Sequence, residues 1–122
     1  MKRDFDLIRR LMKDIESVPA GKKYKDIGYL LPDYDADTVY KHISLLLDAN
    51  LIKGRTVNLM RGISGVVIDG LTWSGHDFLD AAKDDTLWNK AKETVLTPAV
   101  AITFELLCDW LKQQAKEKLG LP

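Results

Sequence analysis

The chain has 122 residues, 46% hydrophobic and 30% charged, with no net charge, which is the size and make-up of one ordinary globular domain able to bury a core. It contains no run of about 18 apolar residues to cross a bilayer. Its single cysteine, Cys108, excludes an intrachain disulfide and any multi-cysteine metal site. Met1-Lys2-Arg3-Asp4-Phe5-Asp6 leads directly into an amphipathic pattern, without the apolar core and cleavage site of a signal peptide, so a cytoplasmic location is expected.

Charge is unevenly spread. Residues 1–25 hold eight Lys/Arg against four Asp/Glu, residues 26–50 one Lys against five Asp, and residues 51–75 three basic residues against one acid. Nucleic-acid binders draw most of their affinity from cations on phosphates, so a basic excess that is only local counts against strong DNA binding without excluding it.

In chain order, Phe5, Ile8, Met12 and Ile15, with Leu7, Leu11 and Val18, recur at three- and four-residue spacing and predict a first helix over residues 3–17. Pro19-Ala20-Gly21 breaks it. A short second helix is expected over residues 24–31. Tyr34-Asp35-Ala36-Asp37-Thr38-Val39 reads as the start of a third. Asp35 is its cap, Asp37 sits in the first turn, and Tyr34 and Val39 are placed to staple it. That helix runs to about Ala49, with Val39, Ile43, Leu46 and Leu47 inward.

After Gly54 the period changes. Arg55-Thr56-Val57-Asn58-Leu59 and Val66-Val67-Ile68-Asp69-Gly70-Leu71 alternate around the glycine-containing stretch 60–65, which predicts a β-hairpin. Thr72 caps a fourth helix with Trp73, Phe78, Leu79 and Ala82 on its apolar side. It bends or restarts at Asp84-Asp85-Thr86 and continues through Leu87, Trp88 and Ala91 to about Val95. Thr97-Pro98 predicts the last helix, with Thr as cap and Pro in the first helical position. Its stripe is Val100, Phe104, Leu107, Cys108, Leu111, Ala115 and Leu119, and Gly120 ends it.

Helix, helix, helix, hairpin is the order of a winged helix-turn-helix domain. The expected fold class is therefore mainly α with a small β-hairpin: a winged helix-turn-helix core over residues 1–71 and a C-terminal helical extension over 72–122, in one compact domain. Thr38-Val39-Tyr40-Lys41-His42-Ile43, then Leu46, then Ala49-Asn50-Leu51-Ile52 resembles the T-V-S-R-H-L, leucine, A-G-L-V recognition helix of winged-helix regulators of the arsenic-repressor type. Asn50 replaces their glycine, a tolerable change because Asn enters the left-handed conformation readily. Leu71-Thr72-Trp73-Ser74-Gly75 resembles the L-T-x-x-G that follows the wing in such domains. Over nearly the whole chain, MKRDFDLIRRLM at the start and LTWSGHDFLDAAKDDTLWNKAK at residues 71–92 resemble a family of small phage and prophage proteins catalogued as domain of unknown function 2513. That resemblance implies a phage or prophage setting and no mechanism.

In a winged helix the third helix lies in the major groove, so Ala36, Asp37, Thr38, Tyr40, Lys41 and Ser44 would face outward. Thr38, Tyr40, Lys41 and Ser44 are then candidate base or phosphate contacts, opposed by Asp33, Asp35 and Asp37. Arg55 and Arg61 on the hairpin are candidate wing contacts, against the plainer reading of solvated arginines. Lys22, Lys23 and Lys25 form a basic cluster that is either a backbone contact or a solvated loop. His42 reads as a structural histidine. His76-Asp77 lacks the further His and Asp ligands that metal phosphohydrolases need, and Cys108 has no catalytic partner and reads as a small buried hydrophobe. No cofactor, no metal and no enzymatic activity are expected.

Trp73, Trp88 and Trp110 are taken as core by default. Leu106, Trp110 and Leu121 nonetheless widen the apolar surface of the last helix, so a homodimer through residues 98–119, with Phe104, Leu107, Trp110 and Leu111 in the interface, is expected. The leading functional reading is a DNA-binding regulator. The second is a small phage effector that uses the same scaffold to bind a host protein, such as a defence component.

Overall fold

A computed structural model describes residues 2–25, 31, 33–60, 62–97 and 102–120. Among these residues, five helices and one three-stranded antiparallel sheet follow in the order α1 (Phe5–Glu16), β1 (Tyr24–Lys25), α2 (Ala36–Asp48), β2 (Ile52–Leu59), β3 (Gly62–Leu71), α3 (Trp73–Ala82), α4 (Asp85–Thr94) and α5 (Phe104–Lys118). The fold is mainly helical with a hairpin, as the patterning predicts. Contacts divide the chain into two compact units, Met1–His76 and Asp77–Pro122, so the division falls inside α3.

In the first unit α1 starts at Asp4, whose carboxylate accepts the Leu7 N–H, and its periodic face Leu7, Ile8, Leu11, Met12 and Ile15 is buried. α2 starts as expected, with the Asp35 carboxylate accepting the Thr38 N–H at 2.7 Å. Val39, Ile43 and Leu46 are buried and Leu47 half-buried. α1 packs on α2 and β3, and α2 on both long strands. From β2 and β3, Ile52, Val66 and Ile68 join the core.

The hairpin is longer than its alternation suggests. β2 pairs with β3 from Ile52↔Leu71 to Leu59↔Gly62, so residues 62–65, expected in the turn, belong to a strand, and the connection shortens to residues 60 and 61. Two register shifts, at Lys53/Gly54 and Val57/Asn58, hid this by breaking the two-residue period. The expected second helix is corrected at its start: Tyr24 and Lys25 form β1, paired with Ile68 and Val67, which makes the sheet order β1-β3-β2. Residues 26–30, the rest of that helix, lie outside the described residues.

Between α2 and β2, Asn50 has φ +60, the left-handed turn foreseen for it. Thr72 closes the far end of the hairpin onto this turn. Its backbone N–H donates to the Leu51 carbonyl (3.0 Å), its hydroxyl donates to the Asn50 carbonyl (2.7 Å), and its oxygen accepts the Gly75 N–H (3.0 Å) as the cap of α3. Gly75 lies so close to the Leu51 carbonyl that a Cβ there would overlap the oxygen. The L-T-x-x-G phrase is thus a cap plus a close backbone approach.

In the second unit α3 ends at Ala82 and α4 begins afresh, with the Asp84 carboxylate accepting the Leu87 N–H. The Lys118 ammonium at the end of α5 donates to the same carboxylate, and Lys90 donates to Gln114 at 2.7 Å, tying α4 to α5. Phe78 and Phe104 rings meet at 4.8 Å, with Leu79, Ala82, Trp88, Ala91, Leu107 and Leu111 buried. α5 is capped by Thr103, not Thr97. The Pro98 start and Val100 lie outside the described residues, as does Leu121.

Gly75→Ala should cost on the order of 1–3 kcal/mol, because a methyl forced against a backbone carbonyl cannot be relieved by a rotamer change. Ser74→Ala, at an exposed neighbour, should stay within about 0.5 kcal/mol. Urea unfolding midpoints of the two variants provide the comparison, and equal midpoints would refute the close-approach account.

Candidate nucleic-acid interface

The outward face of α2 is built by what holds its inward face. His42 is fully buried and accepts the Asp4 backbone N–H at Nε2 (2.9 Å), while Nδ1 lies 2.8 Å from the Thr38 carbonyl. A backbone N–H can only donate and a carbonyl can only accept, so the ring carries its proton on Nδ1. Asp4 is thus bound three ways: its N–H to His42, one carboxylate oxygen to the Leu7 N–H, and the other to the Tyr34 hydroxyl at 3.2 Å. Burial and the neighbouring Asp4 carboxylate raise the Tyr34 phenol above its usual pKa. His42 is structural, as read from the sequence, and α2 is fixed against α1 by polar contacts as well as by Val39, Ile43 and Leu46.

Asp37, Lys41, Ser44 and Asp48 follow at four-, three- and four-residue steps along the open side, with Lys41 and both acids exposed and Ser44 half-buried. Two acids and one base leave this face net acidic. Thr38 and Tyr40 are half-buried, and the Thr38 N–H and carbonyl are both engaged. Asp33 and Asp35 are exposed. The hydrogen bond from the Thr38 N–H holds the Asp35 carboxyl below the ordinary range, so its charge persists at acid pH and sits on the helix N-terminus.

Arg55 is exposed on β2 opposite Val67. Lys53, two residues earlier on the same strand, is exposed as well. Arg61 lies outside the described residues, and of Lys25 only the backbone is described. Lys22 is exposed. Lys23 is exposed but paired: its ammonium is 3.0 Å from the Asp69 carboxylate, one step beyond the Tyr24↔Ile68 pairing. Only the β1–β3 ladder reveals that partner. One of the three lysines is thus met by an acid.

Tryptophans fall in three environments. Trp88 is core, Trp110 is half-buried, and Trp73, expected in the core, is 85% exposed because it is the first residue of α3 and only the Thr72 cap precedes it. Cys108 is half-buried rather than buried, and desolvation pushes its thiol up to about 11. Among the residues expected in a dimer, Leu107 and Leu111 are fully buried in the single chain, while Phe104, in ring contact with Phe78, and Trp110 are half-buried. Among the described residues no group of three or more His, Cys, Asp or Glu could hold a metal ion, and no helix is long and apolar enough to cross a membrane.

Two measurements test the Asp4 junction. Long-range proton–nitrogen correlation spectra should show His42 with its proton on Nδ1, and the opposite tautomer would refute the geometry. The raised Tyr34 pKa means that the folded state holds the phenol proton more tightly than the unfolded state. Its contribution to stability is therefore complete below the unfolded pKa near 10 and is lost as pH rises through the folded value. Tyr34→Phe should remove that part of the alkaline loss, read from unfolding midpoints between neutral and alkaline pH.

The family model described as "Hypothetical protein (DUF2513)" matches residues 2–101. A Haemophilus influenzae protein described as "Uncharacterized protein" is 35% identical over 120 residues, spanning 95% of this chain and 93% of its own length. No solved structure matches the chain at a significant level. The N-terminal phrase and the stretch from Leu71 to Lys92 both fall inside the matched region, and the chain belongs to the family described as "Hypothetical protein (DUF2513)".

Proposed function

We propose that this is a winged helix-turn-helix DNA-binding protein of phage or prophage type, a regulator acting as a homodimer in the cytoplasm of a bacterial host cell. The observation that carries the reading is topological. α1, β1, α2 and the β2–β3 hairpin follow in order, and β1 returns to pair with β3 beside the hairpin. That strand order supports the winged-helix reading, in which α2 would be the recognition helix and the hairpin the wing; the helix expected before α2 lies largely outside the described residues. Lys41, Tyr40, Ser44 and Thr38 are the α2 groups offered to base edges, and Lys53 and Arg55 are the wing cations offered to phosphates.

A second reading keeps the scaffold and changes the partner to a host protein, such as a defence component. Two observations favour it: the acidic opening of α2 at Asp33, Asp35 and Asp37, and the 85% exposed Trp73. Acids repel phosphates and attract a basic protein, and tryptophan is over-represented among residues that dominate protein interfaces.

Gel shifts at low salt with mixed genomic fragments test the first reading. Each phosphate contact contributes a slope of roughly −0.9 to log affinity against log salt, so Arg55→Ala should flatten the slope by about one unit. If Lys41 reads a base, Lys41→Ala should cost on the order of 1–3 kcal/mol and relax preference at one position. Asp37→Asn should tighten nonspecific binding by removing a like charge. No retardation by the wild type or by Asp37→Asn would reject DNA in favour of the protein partner.

A further inference from the structure

α5 has one face in the core, through Leu107 and Leu111, and an opposite side that carries a specific order of charge. Leu106 is 55% exposed and Trp110, one turn on, is half-buried, so the two form a short apolar ridge. Beside it the exposed residues run Glu105, Asp109, Lys112, Lys116: two acids, then two bases. Glu105 and Asp109 are four apart, and so are Lys112 and Lys116. Each is a like-charge pair at a spacing that destabilises an isolated helix. The helix dipole explains acids in the first turn and bases in the last, but its effect fades beyond those turns, and Asp109 and Lys112 lie in the second and third.

We propose that α5 pairs antiparallel with α5 of a second copy. Leu106 and Trp110 are covered at a two-fold axis, and Glu105 and Asp109 of each protomer meet Lys116 and Lys112 of its partner. The two pairings share one centre, between residues 110 and 111, so a single register satisfies both. A parallel arrangement would set acid on acid and base on base. The isologous geometry makes each contact twice, which is how a closed dimer uses one patch. This rests on the homodimer reading and replaces the Leu107 and Leu111 surface with one that the single chain leaves open.

Light scattering of the full-length chain at micromolar concentration and low salt tests it. The wild type should be a dimer whose dissociation constant rises with salt, because the cross-pairs are exposed and screened. Glu105→Lys with Asp109→Lys should give a monomer of unchanged helix content by circular dichroism. Adding Lys112→Glu and Lys116→Glu to that variant should restore the dimer, since the reversed order is again self-complementary. A monomeric wild type overturns the homodimer reading itself. A wild-type dimer that tightens or stays constant with salt, or that survives the first pair of substitutions, leaves the dimer standing and overturns this mode of pairing.

Discussion

The structure of the first unit turns on one threonine. Thr72 takes the carbonyls of Asn50 and Leu51 with its hydroxyl and its backbone N–H, and offers its oxygen to the first turn of α3. Those two carbonyls belong to the turn that ends α2, where Asn50 has reversed the chain and left acceptors without helical donors. Satisfying them from the far end of the hairpin brings residues 50–52 and 71–72 together, which is why Ile52 pairs with Leu71 and why β2 and β3 can run their full length. The start of α3 is set by the same hydroxyl, and the absence of a Cβ at Gly75 lets the Leu51 carbonyl approach it. The end of a helix, the base of a hairpin and the start of the next helix are thus one hydrogen-bonded junction rather than three separate features.

At the other end of α2 the Asp4–His42 contact has the same logic. A helix N-terminus leaves N–H groups without partners, and Asp4 answers one of them at Leu7 while its own N–H is answered by the His42 ring. The imidazole is buried because both of its nitrogens are engaged, which is the condition for placing a polar ring in a core. α2 is therefore held at its first turns by α1 and at its last turn by Thr72, and its remaining side faces water as a fixed surface. A helix meant to present side chains to a partner needs that rigidity whichever partner it meets.

What the sequence revealed was local. The amphipathic face of α1, the Asp35 and Thr72 caps, the left-handed Asn50 and the restart at Asp84 each depend on residues within one or two turns, and each was legible. What it concealed depends on pairing across distance. β1 is two residues long and reads as helix until β3 is seen beside it. Lys23 reads as a free cation until the same ladder brings Asp69 to it. In α5 an apolar stripe predicted interface and core alike, and only packing could assign Leu107 and Leu111 to the core and leave Leu106 outside. Trp73 is exposed despite its residue type, because a large ring at the first residue of a helix has no preceding turn to lie against.

Electrostatics limits the form that the proposed DNA binding can take. With Lys23 paired and α2 net acidic, the exposed cations described on the α2 and wing side reduce to Lys22, Lys41, Lys53 and Arg55, so one protomer commands few phosphate contacts. Few contacts mean weak nonspecific affinity and a shallow salt dependence, and repulsion from Asp33, Asp35 and Asp37 depresses both further. Discrimination then has to come from base edges, where Lys41, Ser44 and Tyr40 act at short range and gain from not being held on every sequence alike. One protomer with so few contacts binds weakly, and the proposed homodimer would supply a second such surface, whose engagement becomes intramolecular wherever both reach one duplex. The charge poverty of α2 thus makes the proposed DNA binding depend on the proposed pairing.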